Sequence, residues 1–138
     1  NIMKLSTRTR YGIRALIDLA RNIDDKPVSV KEIARRQNIS TRYLENIFHE
    51  LKNAGILGSS KGKGGGFYIA IPMKEITILS LIDILDGELA ILDCLIDAGS
   101  CQNVKGCYTR PMWDRLNDEI RKVFEKVTIE DLFNTIEK

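Results

Sequence analysis

Residues 29–71 read SVKEIARRQNISTRYLENIFHELKNAGILGSSKGKGGGFYIAI and carry the strongest structural signals in the chain. Ser29 with Glu32 three positions later is a capping box that opens a short helix, and Asn38 breaks that helix. A second helix begins at Ser40 and ends near Gly55. Its apolar residues recur at the i, i+3, i+4, i+7 spacing of one buried face: Leu44, Ile47, Phe48 and Leu51. Two capped helices joined by a tight turn are typical of a helix-turn-helix, although an ordinary helical bundle has the same features.

The buried face leaves the other side of the second helix polar. The outward residues are Thr41, Arg42, Tyr43, Glu45, Asn46 and His49. In a helix-turn-helix this face enters the major groove of DNA. The candidate DNA contacts are therefore Ser40, Thr41, Arg42, Tyr43, Glu45 and Asn46. We expect Glu45 to select sequences, by accepting from cytosine N4 or by rejecting other sites, because a carboxylate adds no affinity near phosphates.

A glycine-tipped hairpin follows the second helix. Residues 56–61 and 67–71 are predicted as short strands, and residues 62–66 between them read GKGGG. Glycine lets the backbone approach another surface closely, and Lys61 and Lys63 add positive charge, as a wing against a phosphate backbone or minor groove needs. A nucleotide-binding glycine loop requires a helix directly after it, and here a strand follows.

Charge divides the chain in two. Residues 1–72 hold 13 Lys and Arg against 6 Asp and Glu, whereas residues 73–138 hold 8 against 13. The basic half is suited to a polyanion such as double-stranded DNA, although two solvated surfaces of opposite sign would give the same count. Neither a membrane span nor the apolar core of a secretory signal is present, so we expect a cytoplasmic protein without membrane contact. We expect a DNA-binding protein rather than an enzyme.

Three further helices are predicted around these elements. The first starts at Ser6 or Thr7 and runs to about Arg21. Thr77 caps the second, and a third, long helix begins at Thr109 and Pro111. Seven apolar residues fall on one side of the long helix: Met112, Trp113, Leu116, Ile120, Val123, Phe124 and Val127. We expect this side to pack on a twin in a homodimer, which also supplies two DNA half-sites; the alternative is that it folds back as ordinary core.

The three cysteines occur within fourteen residues with the spacing C-x6-C-x5-C. An odd number excludes complete pairing in disulfides. Thiolate is the ligand that zinc, cuprous ion and iron-sulfur clusters prefer, so Cys94, Cys101 and Cys107 are candidate metal ligands. Tetrahedral zinc sites usually take ligands two to four residues apart, which favours a larger centre here. Three unliganded thiols remain the alternative.

Several motifs together are similar to one known family. They are Met3 to Ser6, Arg10 and Tyr11, Ile39 and Ser40, Tyr43 to Glu45, Leu51 to Gly55, residues 62–66 with Tyr68, and the cysteine loop. The chain resembles the Rrf-type winged-helix transcriptional regulators, and within them the regulators of iron-sulfur cluster assembly. The resemblance covers nearly the whole chain. It implies a mainly α fold with a small β-hairpin: a winged helix-turn-helix over 3–72, then a linker helix, a cluster loop (94–107) and a dimerisation helix over 73–138.

The resemblance also implies functional roles. It makes Cys94, Cys101 and Cys107 the iron ligands of a cluster in a homodimer that controls genes of cluster biogenesis. The resemblance favours a [2Fe-2S] cluster over a [4Fe-4S] cluster, and the second form stays open. Tyr43, Glu45 and Asn46 become candidate base readers, and Lys61 takes the wing position that enters the minor groove.

Two departures from the family pattern concern the cluster. The first cysteine interval is six residues rather than five, and Arg110 stands where these regulators have a histidine ligand. Arginine has no lone pair for iron, so the fourth ligand is open among Glu88, Asp93, Asp97, a small thiol and water. The only histidine, His49, fits an exposed or DNA-facing position better.

Two other functions explain parts of the sequence. One is a repressor of the same family that responds to thiol oxidation or to a metabolite without a cluster. The other is an iron-sulfur protein for electron transfer or cluster delivery, which leaves the basic wing without a role.

Overall fold

The computed structural model describes residues 5–22, 26–90 and 108–137. Within these ranges it contains six α-helices and one antiparallel β-hairpin. The helices are α1 (Thr7–Asn22), α2 (Val30–Gln37), α3 (Thr41–Asn53), α4 (Ile78–Leu85), α5 (Arg110–Lys126) and α6 (Ile129–Glu137). The strands are β1 (Leu57–Ser60) and β2 (Gly66–Ile69), and a 3-10 turn covers Met73–Glu75. The predicted fold class, mainly helical with a small hairpin, is confirmed.

Four of the five predicted helix starts are confirmed by their caps. Four side-chain oxygens each accept a hydrogen bond from the backbone N–H three residues further on, over 3.0–3.2 Å: Ser6, Ser29, Ser40 and Thr77. Asn38 ends α2 in the left-handed region with φ 55°. It is the only non-glycine residue in the described ranges with a positive φ, and this places the tight turn between α2 and α3 where the sequence predicts it.

The hairpin is shorter than predicted. Its strands pair from Leu57 with Ile69 to Ser60 with Gly66, because Lys61 already belongs to the connecting turn. The backbone of Val28, ahead of α2, adds a bridge on the other side of β2 through two hydrogen bonds to Phe67 of 2.8 and 2.9 Å. The hairpin is therefore tied to the helix-turn-helix by backbone bonds as well as by the connection from α3.

The region between α5 and α6 joins the start of α4. Thr77 and Thr128 form an antiparallel bridge, with the Ile78 N–H donating to the Val127 carbonyl and the Ile129 N–H to the Ile76 carbonyl, each over 2.9 Å. Helix α6 then packs on α1 and the 3-10 turn, with Ile129 fully buried. The core therefore draws on residues from both halves of the chain.

The predicted single apolar side of the long helix is divided by the structure. Ile120, Phe124 and Val127 are half-buried against the core, and Val127 lies beyond the end of α5. Met112, Leu116 and Val123 are instead exposed, by 48%, 44% and 61%. At about 100° per residue, all seven positions still fall within about 120° of the helix circumference, and the half-buried ones occupy one edge of this side. The alternative that the helix folds back as ordinary core therefore holds for that edge, and pairing with a twin stays a prediction for the exposed edge.

None of the helices in the described ranges combines the length and the apolar character that are needed to cross a bilayer.

Candidate DNA interface and cluster segment

Helix α3 presents one polar face outward, as predicted. Its opposite face is fully buried through Leu44, Ile47, Phe48 and Leu51. The exposed residues are Ser40, Arg42, Tyr43, Glu45, Asn46 and His49, and Thr41 is half-buried. The structure thus brings the candidate DNA contacts of α3 together on one surface, with the two oppositely charged side chains Arg42 and Glu45 both accessible.

The wing is held in a fixed position relative to α3. The rings of Phe48 on α3 and Phe67 on β2 meet edge to face, with their centroids 5.2 Å apart. At the tip, Gly62 has φ 90°, a conformation that L side chains rarely adopt, and Lys61 and Lys63 are exposed on either side of it. The two wing lysines therefore lie on a hairpin that packs directly on α3.

A surface groove of about 720 Å³ lies beside the start of α3 and contains two cations that the sequence reasoning missed. Lys31 and Arg35 are exposed, four positions apart on α2, and line the groove with Ser40 and Thr41. In a helix-turn-helix the first helix crosses the phosphate backbone. The i, i+4 spacing of these cations, on the side of α2 opposite the buried Ile33, was the available signal.

A buried carboxylate fixes α1 to α2. The Asp18 side chain is only 5% exposed. Both of its oxygens accept from Arg36 Nε at 3.1 Å, and Oδ1 also accepts from Arg36 Nη2 at 2.6 Å. Gln37 Nε2 donates to Asp18 Oδ2 at 2.8 Å, and Asn22 Nδ2 donates to Asp18 Oδ1 over a longer distance of 3.3 Å. Burial alone would raise the pKa of Asp18, but these donors, Arg36 first among them, hold it below its ordinary value of 3.8.

Asp18→Asn should lower the free energy of unfolding at pH 7 by about 3 kcal/mol, because it removes the buried charge to which Arg36 donates and leaves Arg36 only the exposed Glu32, 4.0 Å away. A carboxylate with a lowered folded pKa stabilises the fold fully above the unfolded pKa and loses this effect as pH falls through the folded value. The difference between variant and parent should therefore shrink below about pH 4. Urea unfolding curves at pH 7 and pH 3 measure both quantities.

The matched control is Glu119→Gln, which breaks the exposed pair between Glu119 and Lys122 at 3.5 Å. Both of its side chains are more than 60% exposed, so we expect a change within about 0.5 kcal/mol. Equal effects of the two substitutions would mean that Asp18 is not a structural anchor.

Cys94, Cys101 and Cys107 lie outside the described residues, as do Asp93 and Asp97. Asp83 on α4 pairs with Arg121 on α5 at 3.1 Å. Arg121 also donates to the Leu89 carbonyl at 3.1 Å, and Asp83 accepts from the Leu89 N–H at 3.2 Å. Glu88, one candidate fourth ligand, is exposed next to this clamp, and Arg110 is the half-buried first residue of α5.

A helix-turn-helix with a polar outward face, joined rigidly to a basic hairpin, defines a winged-helix DNA-binding protein. A family model described as Rrf2, iron-dependent transcriptional regulator, matches residues 5–135. The chain therefore belongs to the Rrf2 family of transcriptional regulators and, as the sequence predicts, is not an enzyme.

Individual relatives agree with this assignment. The protein rrf2 of Nitratidesulfovibrio vulgaris is 35% identical over 94% of this chain and 87% of its own length. The solved structure of CymR, the global cysteine regulator of B. subtilis, has a TM-score of 0.78 at 33% identity, covering 97% of this chain and 98% of that one. The structure of T. potens IscR has a TM-score of 0.75 at 31% identity, covering 96% and 88%.

Proposed function

We propose that this regulator is a homodimer that binds double-stranded DNA through α3 and the wing and senses iron-sulfur or redox status through a cluster on Cys94, Cys101 and Cys107. Its target genes would be those of iron-sulfur cluster biogenesis. The observation that carries the DNA-binding part is the rigid joint between α3 and the basic wing, made by Phe48 and Phe67. Residues 3–72 would supply DNA recognition, and residues 73–138 would supply sensing and dimerisation.

On DNA, the polar face of α3 would read base edges, with Tyr43, Glu45 and Asn46 as the readers and Ser40, Thr41 and Arg42 beside the adjacent phosphates. Lys61 and Lys63 would lie against the minor groove or the phosphate backbone. Lys31 and Arg35 extend this positive surface along α2, where a backbone strand would pass.

The donor set fits an iron-sulfur cluster. Three thiols within fourteen residues can reach one centre, and thiolate is the ligand such clusters use. A bound cluster, [2Fe-2S] in our proposal, would give the protein a state that depends on oxidation and on iron supply. The fourth position would be filled by Glu88, Asp93 or Asp97, or by a small thiol or water, since Arg110 cannot ligate iron.

We infer that the state of the cluster loop reaches the dimer arm through Leu89. This residue, five positions before Cys94, donates to Asp83 and accepts from Arg121, so the chain ahead of the loop is bonded to both α4 and α5. A change within the segment would thereby shift α5, and with it the spacing of two recognition helices in a dimer.

Lys61→Ala should weaken binding to specific and nonspecific DNA alike, because a phosphate or minor-groove contact carries little sequence information. The slope of log affinity against log salt should become shallower by about one, as expected when a single phosphate contact is removed. Fluorescence anisotropy with a duplex selected from a randomised pool, and with a scrambled duplex of equal length, measures both effects over a salt series.

Two variants serve as controls for Lys61→Ala. Lys122→Ala removes another exposed lysine, on α5 and outside the proposed interface, and should change neither affinity nor slope. Glu45→Ala should keep or raise affinity while broadening the range of sequences bound. An unchanged affinity and slope for Lys61→Ala would exclude Lys61 from the DNA interface.

A cluster-free thiol sensor of the same family is the second candidate. It is favoured by one observation, the arginine at position 110 where the family pattern has a ligand. Iron and sulfide analysis of the protein purified without oxygen separates the two candidates. Stoichiometric iron and sulfide support the cluster, whereas their absence together with DNA binding that responds to a thiol oxidant supports the thiol sensor.

A further inference from the structure

Tyr43 is a partly exposed side chain at the start of the recognition helix, and its direction is constrained by a second aromatic residue. The Ser40 hydroxyl accepts from the Tyr43 N–H at 3.0 Å, which fixes the backbone. The ring is 36% exposed and meets the ring of Tyr11 on α1 at 5.9 Å between centroids, with an interplanar angle of 82°. This edge-to-face geometry is the one that aromatic quadrupoles favour.

Tyr11 is itself held by Arg14, one turn along α1. The Arg14 guanidinium carbon lies 5.2 Å from the centre of the Tyr11 ring, within the range of a cation–π contact. Arg14 is fixed in turn by Gln37, the last residue of α2. Its Nη2 donates to the Gln37 carbonyl at 2.7 Å and its Nε donates to Gln37 Oε1 at 3.3 Å.

The buried Asp18 sets the orientation of Gln37. Because Gln37 Nε2 donates to Asp18 at 2.8 Å, the amide oxygen is left to face Arg14. The contacts therefore run without a break from a buried carboxylate through Gln37, Arg14 and Tyr11 to Tyr43. Each link leaves fewer rotamers to the next side chain.

Space beside Tyr43 explains why such support is needed. A groove of about 290 Å³ is lined by Thr7, Tyr11, Asn38, Ile39, Ser40 and Tyr43. Removal of the Tyr11 ring would enlarge this groove and let the Tyr43 ring turn into it, away from the outward face of α3. A reader that is free to turn pays conformational entropy on binding.

We propose that Tyr11 is a positioning residue for DNA sequence recognition, which holds Tyr43 in its base-reading direction and is itself fixed by Arg14. The proposal rests on the proposed role of Tyr43 as a base reader. Tyr11 acts through the recognition helix, so its removal affects discrimination between sequences more than the affinity for DNA in general.

The experiment is a double-mutant cycle of Tyr11→Leu and Tyr43→Ala in the full chain. Each protein is titrated with a duplex selected by the parent from a randomised pool and with a scrambled duplex of equal length. Tyr11→Leu should lower the ratio of specific to nonspecific affinity by about threefold to tenfold, leaving nonspecific affinity and salt slope unchanged. Tyr11→Phe keeps the ring and should restore the ratio, and Tyr11→Leu added to Tyr43→Ala should cause no further decrease.

The outcomes separate this inference from the proposed function. An unchanged ratio for Tyr43→Ala would overturn both the base-reading role and the positioning role. A lowered ratio for Tyr43→Ala with an unchanged ratio for Tyr11→Leu, or additive decreases in the double variant, would overturn only the positioning role. If Tyr11→Leu destabilises the fold, Arg14→Gln, which removes the cation above the ring, tests the same chain of contacts and should also lower the ratio.

Discussion

A Cys101→Ala variant purified without oxygen should contain only background iron and sulfide and should lack the visible absorption of the parent protein. The same result is expected for Cys94 and Cys107, because two thiolates and one weak ligand cannot hold a cluster. The fold should survive in all three, since the apolar helix faces that the sequence predicts as the core do not include the cysteines. Metal and sulfide analysis with the visible spectrum measures the loss, and circular dichroism checks the fold.

DNA binding of the same preparations reports what the cluster is for. If the cluster segment acts on α5 through Leu89, loss of the cluster should change which sites are bound rather than abolish binding. Equal affinities of the parent and Cys101→Ala for every selected site would mean that the cluster has a structural role and does not regulate DNA binding. Full iron and sulfide content in Cys101→Ala would remove that cysteine from the ligand set.

His49→Ala is the matched control for the ligand assignment. The side chain is exposed on α3, so its removal should leave the visible spectrum intact and disturb DNA binding at most. A bleached spectrum would identify His49 as the fourth ligand. Glu88→Gln tests the exposed carboxylate beside the Asp83 and Arg121 clamp in the same way.

Local signals in the sequence predict most of the DNA-binding unit. Ser29, Ser40 and Thr77 cap helices where they are expected, because a cap needs only residues within one turn of each other. The wing follows from the same kind of signal, a glycine tip between two short apolar runs. Thr128 and Asp131 bond each other's backbone N–H at 2.9 and 3.1 Å. This Thr-x-x-Asp cap, which starts α6, was readable from the sequence but went unrecognised.

Contacts between distant parts of the chain were not predictable in this way. Asp18 meets Arg36, and Tyr11 meets Tyr43, across separations for which one sequence gives no pairing rule. The signal available for Asp18 was only its place in the apolar stretch of α1, where a lone carboxylate needs a partner. Periodicity also could not divide the apolar residues of α5 between core and surface, because helical spacing records a face but not its neighbour.

Val123→Glu on α5 should convert the proposed homodimer to monomers and weaken binding to a full DNA site by about 100-fold or more, because a protomer bound at one half-site then no longer holds its twin beside the other half-site. Met112, Leu116 and Val123 form the exposed apolar face of this helix, and a pair of carboxylates buried between two such faces would repel. Light scattering after gel filtration measures the oligomeric state. Titration of a half-site and a full-site duplex should then give nearly equal affinities for the variant.

Lys122→Glu is the matched control, since it introduces the same carboxylate on α5 at an exposed position about a quarter turn from the apolar face. It should remain dimeric and keep its preference for the full site. Nothing in the core contacts of Ile120 and Phe124 depends on Val123, so Val123→Glu should unfold at the same urea concentration once the dimer contribution is removed by dilution. A dimeric Val123→Glu that still prefers the full site would show that the protomers meet through another surface, and would leave the exposed apolar face of α5 to a different partner.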